Sequence, residues 1–358
     1  MNVAIIGAGL AGLACAYELE RNGIFPQIFE RSSLIGENIE LPAIQLRMFN
    51  IPISDPYHYM KKNHHLDLTP HYRLNELIMK SPNKTTTVKG NLGWVFRRGS
   101  FSDSMTNQIR RLLTSPIHLN TDIYYRDIKN KFDHVVIASG SLSEAEDMGI
   151  LTTKYSACSR MATLTGKFKT DSIKVWLNTE YAKASYAYFV PDTQEQAKLV
   201  LLVNGINPYQ VDSFWNNFLM MENISYTINK TLDIPHKIGR VSPVQIGNLY
   251  FCGLAGGFMD DFIGFGTINC VISGLLAGKS IAMKLDYNKA MKPFLKKMAV
   301  LHEYRIAMNG MKNEDFDNIL TLLDMPAYKT MIYKNPLFRV SQGSPGAKLY
   351  NFIKTHFL

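Results

Sequence analysis

The chain has 358 residues, of which 46% are hydrophobic and 19% are charged. This length is enough for about two domains, and the ordinary composition excludes a disordered or a fibrous protein. The net charge of +9 makes an anionic partner, either nucleic acid or a membrane surface, a hypothesis that depends on where the charge lies.

The sequence predicts neither an export signal nor a membrane span. The apolar start at residues 3–13 follows no basic segment and contains three glycines, which is unlike a secretory signal. The longest weakly charged stretch, residues 262–278, is only 17 residues long and contains four glycines. The four cysteines, Cys15, Cys158, Cys252 and Cys270, lack the spacing of a metal site or a C-x-x-C pair. We therefore expect a cytoplasmic protein with reduced thiols.

The first thirty residues predict a strand, a glycine turn, a helix and a second strand. The apolar run Val3–Ile6 is typical of a buried parallel strand, and the glycine-rich run GAGLAG at residues 7–12 follows it. A helix then ends near Gly23, and the short strand Gln27–Phe29 leads to Glu30. This pattern is one complete βαβ unit.

The glycine spacing in this unit is that of a dinucleotide-binding turn. In such turns the first glycine, here Gly7, permits the tight bend, and the second, Gly9, lets the backbone approach a pyrophosphate. The third, Gly12, allows the helix to pack closely on the strand. The phosphates would lie at the helix N-terminus. Glu30 would accept hydrogen bonds from a ribose 2′-hydroxyl, which disfavours NADP; a glycine-rich turn that binds nothing is the alternative.

The remaining segments predict a second sheet inserted into this α/β frame. We predict further strands and helices of the frame at residues 94–99, 101–113, 133–140, 248–252 and 267–285. Alternating runs at residues 174–178, 186–190 and 198–203 indicate an antiparallel sheet between residues 141 and 238. After residue 285 the chain is predicted to be helical and basic.

Two further segments resemble the flavin-binding motifs of FAD enzymes with a glutathione-reductase-type flavin domain. Residues 133–140, which end in Ala138, Ser139 and Gly140, are similar to the second strand motif of those enzymes. Residues 249–258 and 264–277 resemble their C-terminal flavin motif. In such proteins this motif passes the ribityl chain and the isoalloxazine, and the following helix directs its N-terminus at the flavin. The resemblance implies FAD as the cofactor.

Within that superfamily the chain resembles geranylgeranyl reductases. The run RGSF at residues 98–101, with Met105 four residues on, is similar to their R-x-x-F-x-x-x-L element, whose arginine lies beside the cofactor. The run YAYFVP at residues 186–191 resembles the Y-x-W-x-F-P strand that lines their lipid cavity. Residues 240–243 resemble the short Pro-containing segment that precedes the last strand of the flavin domain in that family.

This resemblance implies an FAD-dependent reductase that saturates C=C bonds of an isoprenoid or another apolar substrate by hydride transfer. Either Tyr186 or Tyr188 would donate the accompanying proton, although solvent could also supply it. Two ordinary strand aromatics packed in a core are the alternative for these tyrosines.

Together these features predict an α/β fold. It is a Rossmann-like, three-layer FAD/NAD(P)-binding domain with an inserted antiparallel β-sheet substrate domain and a helical C-terminal region. We assign residues 1–50, 90–145 and 239–285 to the FAD-binding domain, 51–89 and 146–238 to the substrate domain, and 286–358 to the helical region. The predicted cofactor-binding residues are Gly7, Gly9, Leu10, Ala11, Gly12, Glu30, Arg31, Arg98, Ala138, Ser139, Gly140, Gly253, Gly264, Gly266 and Thr267.

One departure from the flavin motif keeps other functions open. Leu254 stands where the motif has an aspartate that binds the ribityl hydroxyls, and loss of such a bond would weaken FAD binding by about tenfold to a hundredfold. Asp260 or Asp261 could replace it if the loop folds back. A non-catalytic dinucleotide-binding protein is therefore one alternative. A flavin monooxygenase or an amine oxidase is another, although the chain lacks their mid-chain Asp-Gly motif and Gly-Gly-Arg run, respectively.

The rest of the sequence predicts an electron donor that is not permanently bound, and it predicts no metal site. The chain shows no second nucleotide-binding motif, so electrons would come from transiently bound NAD(P)H or from an external donor such as a reductase or ferredoxin. His64, His65 and His71 have no Cys or carboxylate at metal-ligand spacing, and we expect exposed histidines rather than a metal site.

The excess positive charge lies near the end of the chain. After residue 282 there are twelve basic and six acidic residues, so this segment carries six of the nine net positive charges. A helical basic segment that also contains Met, Phe and Tyr predicts peripheral contact with a membrane surface rather than with nucleic acid. A solvated basic face is the alternative.

Overall fold

The computed structural model describes residues 1–36, 39–47, 55–330 and 333 of the chain. Its strands are β1 (Val3–Ile6), β2 (Gln27–Phe29), β3 (Ala43–Leu46), β4 (Tyr72–Lys80), β5 (Thr85–Phe96), β6 (Ile117–His118), β7 (His134–Ile137), β8 (Leu151–Thr165), β9 (Ser172–Trp176), β10 (Tyr186–Pro191), β11 (Gln196–Asn204), β12 (Thr227–Val241), β13 (Gln245–Ile246) and β14 (Leu249–Phe251). Its helices are α1 (Leu10–Arg21), α2 (Pro56–His64), α3 (Met105–Arg110), α4 (Tyr125–Ile128), α5 (Ser143–Asp147), α6 (Thr179–Ala182), α7 (Val211–Met221), α8 (Thr267–Met283), α9 (Tyr287–Asn309), α10 (Asn313–Asp324) and α11 (Pro326–Lys329). Two short 3-10 helices lie at Pro208–Gln210 and Gly253–Gly256.

The first sheet contains the strands predicted for the α/β frame. Its order is β13-β14-β7-β1-β2-β6, and every neighbouring pair is parallel except β13 with β14. All four residues of β1 are buried, because strands flank it on both sides and helices cover the sheet, which explains its continuous apolar run. The glycine turn therefore leaves the carboxyl end of an inner strand, directly beside the end of β7.

Glycines let helices α1 and α8 approach the sheet and each other at backbone distance. A Cβ atom on Gly12 would lie 2.0 Å from the Gly7 carbonyl oxygen, which confirms the close helix–strand packing predicted for this position. A Cβ atom on Gly274 would lie 2.1 Å from the Ala11 carbonyl oxygen. A larger residue at either position would push the helix away from its neighbour.

The second sheet has eight strands in the order β12-β8-β11-β10-β9-β4-β5-β3. It is antiparallel, as predicted for the inserted segment, except for the parallel pair β4 and β9. On one face Trp215 and Phe218 of α7 pack against Leu199 of β11. On the other face Leu320 of α10 packs against Val190 of β10. The C-terminal region thus covers part of the second sheet.

Two strands lie in the second sheet although the sequence placed them in the first unit. Strand β3 pairs antiparallel with β5, and β5 extends to Phe96, so residues 43–46 and 90–96 are not part of the dinucleotide-type sheet. The helix predicted at residues 101–113 is also shorter and spans only Met105–Arg110. Pairing with strands that are distant in the chain decides sheet membership, and local apolar patterns do not contain that information.

The predicted exposure of the histidines is wrong for two of the three residues. His64 is fully buried, and its Nδ1 atom lies 2.9 Å from a carboxylate oxygen of Glu18 in α1. His71 is mostly buried, with its Nε2 atom 2.7 Å from the Asp192 carbonyl oxygen. His65 is exposed as predicted. A buried imidazole beside a carboxylate needs no solvent, because the pair satisfies its own hydrogen bonds.

The C-terminal region is helical as far as Lys329, as predicted, and most of its remaining residues lie outside the described part of the chain. Helix α9 joins the core of the first unit through Met291, Phe294 and Met298. Within the part of the chain that the structure describes, no helix has the length and apolar character required to cross a bilayer.

The contact between α1 and α8 yields a prediction about stability. We expect Gly274→Ala to lower the free energy of unfolding by about 2 kcal/mol or more, because the new methyl group would overlap a backbone carbonyl that cannot move aside. Urea unfolding followed by circular dichroism measures the change. The matched control is Gly310→Ala, whose methyl group would lie 3.7 Å from the nearest atom; equal effects of the two substitutions would contradict the packing explanation.

Candidate functional site

The glycine turn encloses open space in front of helix α1. Gly7 adopts a φ of +104°, and a Cβ atom on it would lie 2.4 Å from the Ala138 carbonyl oxygen. Gly9 occupies the N-cap position of α1, and a Cβ atom on it would meet no atom of the described residues within 4 Å. The N–H groups of the first turn, including those of Leu10 and Ala11, have no intrahelical acceptors. This arrangement is suited to an anion such as a phosphate.

Glu30 lies directly beside this turn. Its two carboxylate oxygens accept hydrogen bonds from the backbone N–H groups of Ala8, at 2.8 Å, and Ser32, at 2.9 Å. The residue is only 8% exposed, whereas the neighbouring Arg31 is exposed. The carboxylate is thus fixed next to the space in front of α1, where the sequence placed a ribose, and its role as ribose ligand remains a prediction.

Three segments that are distant in the chain meet at the start of α1. Ala138 and Ser139, after β7, contact Gly7. Gly253, after β14, lies so close to α1 that a Cβ atom on it would come within 2.8 Å of the Ala11 side chain. Cβ atoms on Gly140 and Gly264 would meet no atom of the described residues within 4 Å. The sequence motifs around residues 7, 138 and 253 therefore form one continuous site.

A cleft of about 1110 Å³, including the space open to solvent, lies beside this site. One wall consists of the loop before α8 and the first turn of that helix; the opposite walls come from the segment around β3, from Arg98 and Tyr188, and from α9. The lining residues are Leu41, Pro42, Ala43, Ile44, Gln45, Pro56, Arg98, Tyr188, Leu254, Met259, Asp260, Gly264, Phe265, Gly266, Thr267, Ile268, Asn269, Cys270, Phe294, Met298 and Leu301. Most of these side chains are apolar, so the cleft suits an aromatic ring or an aliphatic chain.

Arg98, Tyr188 and Cys270 are the titratable groups that line the cleft together with Asp260. Burial lowers the pKa of the Arg98 guanidinium from its usual value, but arginine remains cationic in proteins. Burial raises the pKa of the Tyr188 hydroxyl, against the opposing effect of the Arg98 charge, and raises the pKa of the Cys270 thiol to about 11. At neutral pH the cleft therefore contains the positive charge of Arg98, a protonated phenol and a protonated thiol. It also contains the Asp260 carboxyl, which is mostly ionised because its pKa is about 6.

The two tyrosines predicted as proton donors occupy different environments. Tyr188 lines the cleft, whereas Tyr186 is not among the residues that line it. The Tyr186 hydroxyl donates a hydrogen bond to the carbonyl oxygen of Ile263, in the loop before α8. The rings of the two tyrosines are 6.0 Å apart. The placement favours Tyr188 as the residue that can reach a bound molecule, because the Tyr186 proton is engaged by the protein.

Leu254 lies at the boundary between this cleft and a second one. The second cleft is lined by Gly140–Ser143, Glu146, Pro235–Gly239 and Gly257, and Leu254 and Met259 border both. Both candidate replacements for the missing carboxylate are engaged by other groups of the protein. The Asp260 carboxylate accepts hydrogen bonds from its own loop, and Asp261 forms an ion pair with Arg240 at 2.9 Å.

The sequence did not identify several residues that line the cleft. Phe294, Met298 and Leu301 follow one face of α9 at helical spacing, a signal that was present in the segment interpreted as a basic helical region in contact with a membrane surface. Residues 41–45 gave no comparable signal, because β3 is four residues long and is paired only with β5 within the described residues. The described residues contain no cluster of three or more His, Cys, Asp or Glu side chains that could hold a metal ion.

These residues fit a dinucleotide at its phosphate and ribose end. The open space at Gly9, the free N–H groups of α1 and the fixed Glu30 carboxylate match a pyrophosphate and a sugar. A ligand that extended from there to the cleft would follow a path past Gly253, where a Cβ atom would lie close to both Ala11 of α1 and Cys270 of the cleft wall. The exception is Leu254, which offers no hydrogen bond midway along that path.

Comparisons with known proteins agree with this fold. A family model described as an NAD(P)-binding Rossmann-like domain matches residues 5–69. A search of curated proteins finds no match. Among solved structures, the chain is similar to a geranylgeranyl bacteriochlorophyll reductase-like protein from Thermoplasma acidophilum, with a TM-score of 0.73, 13% identity and 98% of each chain covered. It is also similar to a flavoprotein/dehydrogenase from Cytophaga hutchinsonii, with a TM-score of 0.65, 13% identity, and 99% of this chain and 98% of that chain covered.

A third similar structure is the flavin-dependent halogenase CmlS, with a TM-score of 0.64 and 14% identity, covering 99% of this chain and 77% of the halogenase. At such low identities these matches establish the fold. The chain has the predicted α/β architecture, a Rossmann-like FAD/NAD(P)-binding unit with a largely antiparallel sheet inserted into it.

The buried carboxyl of Asp260 predicts a pH-dependent contribution to stability. Burial raises the pKa of Asp260 to about 6 and outweighs the N–H donors of residues 262, 263 and 265, which act in the opposite direction. Because the folded state favours the protonated acid, the contribution of Asp260 is greatest below the unfolded-state pKa and is lost as the pH rises through about 6.

We therefore expect the stability of the wild type relative to Asp260→Asn, which cannot titrate, to fall by about 2–3 kcal/mol between pH 4 and pH 7. Urea unfolding of both proteins at several pH values measures this difference. A difference that increases with pH would show that the N–H donors dominate over burial.

Proposed function

We propose that the protein is an FAD-dependent oxidoreductase. The observation that carries the proposal is the junction of the three glycine segments around the first turn of α1, which lies beside the apolar cleft at the first turn of α8. FAD supplies hydride transfer when it is bound. The first-turn N–H groups of α1 would hold its pyrophosphate, and Glu30 its ribose. Gly264, Gly266 and Thr267 would border the ring.

The finer proposal is a reductase that saturates a C=C bond of an isoprenoid or another apolar substrate. It is supported by the apolar cleft walls, by the resemblance of residues 98–101 and 186–191 to geranylgeranyl reductase elements, and by Tyr188. The Tyr188 hydroxyl is protonated at neutral pH and would donate its proton to the second carbon of the bond, although burial raises its pKa and so makes it a weaker acid. Arg98 would orient a polar end group or the cofactor.

A flavin monooxygenase is the second candidate. The fold similarity to a flavin-dependent halogenase, and to 2-methyl-3-hydroxypyridine-5-carboxylic acid oxygenase with a TM-score of 0.57, favours it. In either case the electrons would come from transiently bound NAD(P)H or from an external donor protein.

Cofactor uptake tests the coarser proposal. We expect purified protein to bind added FAD, with quenched flavin fluorescence and a protein-bound visible spectrum. We expect Gly9→Ala to weaken binding at least tenfold, because its methyl group would occupy the space of the pyrophosphate although it touches no described protein atom. Glu30→Ala should also weaken binding. Gly310→Ala is the control and should bind as the wild type; no uptake by the wild type would contradict the proposal.

Reoxidation distinguishes the two candidate reactions. After anaerobic photoreduction of the bound flavin, we expect geranylgeraniol to reoxidise the wild type faster than air does. Tyr188→Phe should slow this reaction at least tenfold with unchanged FAD affinity, because it removes only the proton donor. Rapid reoxidation by oxygen with release of peroxide, and none by the polyprenol, would favour the monooxygenase.

We also propose peripheral contact between helix α9 and an anionic membrane surface. Lys289, Lys292 and Lys296 are exposed on one side of α9, opposite the side that lines the cleft. Replacing these three lysines by Gln should abolish co-sedimentation with vesicles that contain phosphatidylglycerol, and high salt should do the same. Gln substitutions at the exposed Lys129, Lys131 and Lys154 are the control. Equal loss of vesicle binding in both triple variants would show that the lysine side of α9 is not a specific membrane-binding surface.

A further inference from the structure

The loop between the second 3-10 helix and α8, residues 257–266, carries the glycines that border the cleft. Asp260 organises this loop from inside: its carboxylate accepts hydrogen bonds from the N–H groups of Phe262, at 3.1 Å, Ile263, at 2.8 Å, and Phe265, at 2.7 Å. These bonds set the local shape of the loop. They do not fix where the loop lies relative to the second sheet.

Donors from other elements hold the carbonyl oxygens of three consecutive loop residues. The Tyr155 hydroxyl, on β8, donates to the Asp261 carbonyl oxygen at 2.9 Å. Arg305, on α9, donates from Nη1 to the Phe262 carbonyl oxygen at 3.4 Å. The Tyr186 hydroxyl, on β10, donates to the next carbonyl oxygen in the loop. The segment immediately before Gly264 is thus fastened to two strands and one helix.

Arg305 is the central member of this set. It is only 1% exposed, and its other two hydrogen bonds go to the Asn309 side chain, at 2.9 Å, and to the carbonyl oxygen of Ala184, just before β10. Its guanidinium therefore links helix α9, the second sheet and the loop. The charge of the fully buried Asp261 partly compensates that of Arg305, and Asp261 itself is contacted by Arg240 at 2.9 Å and by His302 at 2.8 Å.

Core packing alone does not require a charge at this position. Burying a guanidinium costs several kcal/mol of hydration, and an apolar side chain of similar volume would fill the same space at lower cost. What the guanidinium adds is direction, because its planar N–H groups can bind carbonyl oxygens of two separate segments at once. The site that benefits is the loop at the first turn of α8.

We propose that Arg305 and Tyr186 are positioning residues that hold residues 261–264 in the conformation required to receive the flavin ring. The proposal rests on the proposed FAD function. It assigns Tyr186 a role other than proton donation, and it makes helix α9 of the C-terminal region an integral part of the cofactor site. The second sheet and the loop at residues 257–266 would then move as one body.

Two variants test the proposal with readouts that do not depend on turnover. In Tyr186→Phe and Arg305→Met we expect the amides of residues 262–266 to exchange with deuterium at least tenfold faster than in the wild type, measured without added flavin. We expect FAD affinity to fall about threefold to tenfold in Tyr186→Phe and more than tenfold in Arg305→Met. Arg305→Lys should recover part of the affinity, because it keeps the charge and one donor group.

The matched control is Arg160→Met. Arg160 is also mostly buried and forms ion pairs with Asp212 and Asp233 on the face of the second sheet that carries α7. Its loss should lower stability without changing loop exchange or FAD affinity. If Arg305→Met does not fold, Tyr186→Phe alone decides, since it removes a single hydroxyl group.

Unchanged loop exchange and unchanged FAD affinity in Tyr186→Phe and in folded Arg305→Met would overturn the positioning role. If the wild type binds no FAD, the proposed function fails, and with it the purpose assigned to Arg305 and Tyr186. The exchange measurement then still shows whether these two residues hold the loop, so the two failures are distinguishable.

Discussion

The structure depends on backbone-to-backbone packing between α1, the end of β7 and α8. Gly7, Gly12 and Gly274 occupy places where a methyl group would overlap a carbonyl oxygen, so no other residue permits these approaches without displacement. Because these elements touch directly, the segments around residues 138 and 253 lie within a few ångströms of the glycine turn. The one glycine of the turn that faces open space, Gly9, marks where a ligand rather than the protein would complete the packing.

The cleft lies beside this junction, but parts of the chain outside the βαβ unit form most of its walls. The second sheet contributes Tyr188, the segment near β3 forms another wall, and α9 supplies Phe294, Met298 and Leu301. The C-terminal region is therefore not an appendage of the dinucleotide-binding unit. One side of α9 is a wall of the cleft, and the opposite side carries the exposed lysines.

Several of the buried charges of the protein are concentrated in and beside the loop before α8. Asp260 is held by the loop itself, Asp261 is paired with Arg240, and Arg305 binds carbonyl oxygens. This concentration explains why neither aspartate replaces the carboxylate that is absent at Leu254: both are already committed to the loop and its anchors. Any ligand that passes Leu254 must obtain its hydrogen bonds from the backbone or from other side chains.

The sequence by itself determined the βαβ unit, the tight turn at Gly7, the close packing at Gly12 and the place of Glu30 beside the turn, because all of these follow from local spacing within thirty residues. It also determined the existence of an inserted sheet and of α8. Only the tertiary structure decided that β3 joins the second sheet, that His64 is buried, that Tyr186 binds the loop, and that α9 lines the cleft. Each of these depends on contacts between segments far apart in the chain, such as the 121 residues between Ala184 and Arg305. Local patterns of apolar and polar residues cannot specify which distant partner a side chain meets.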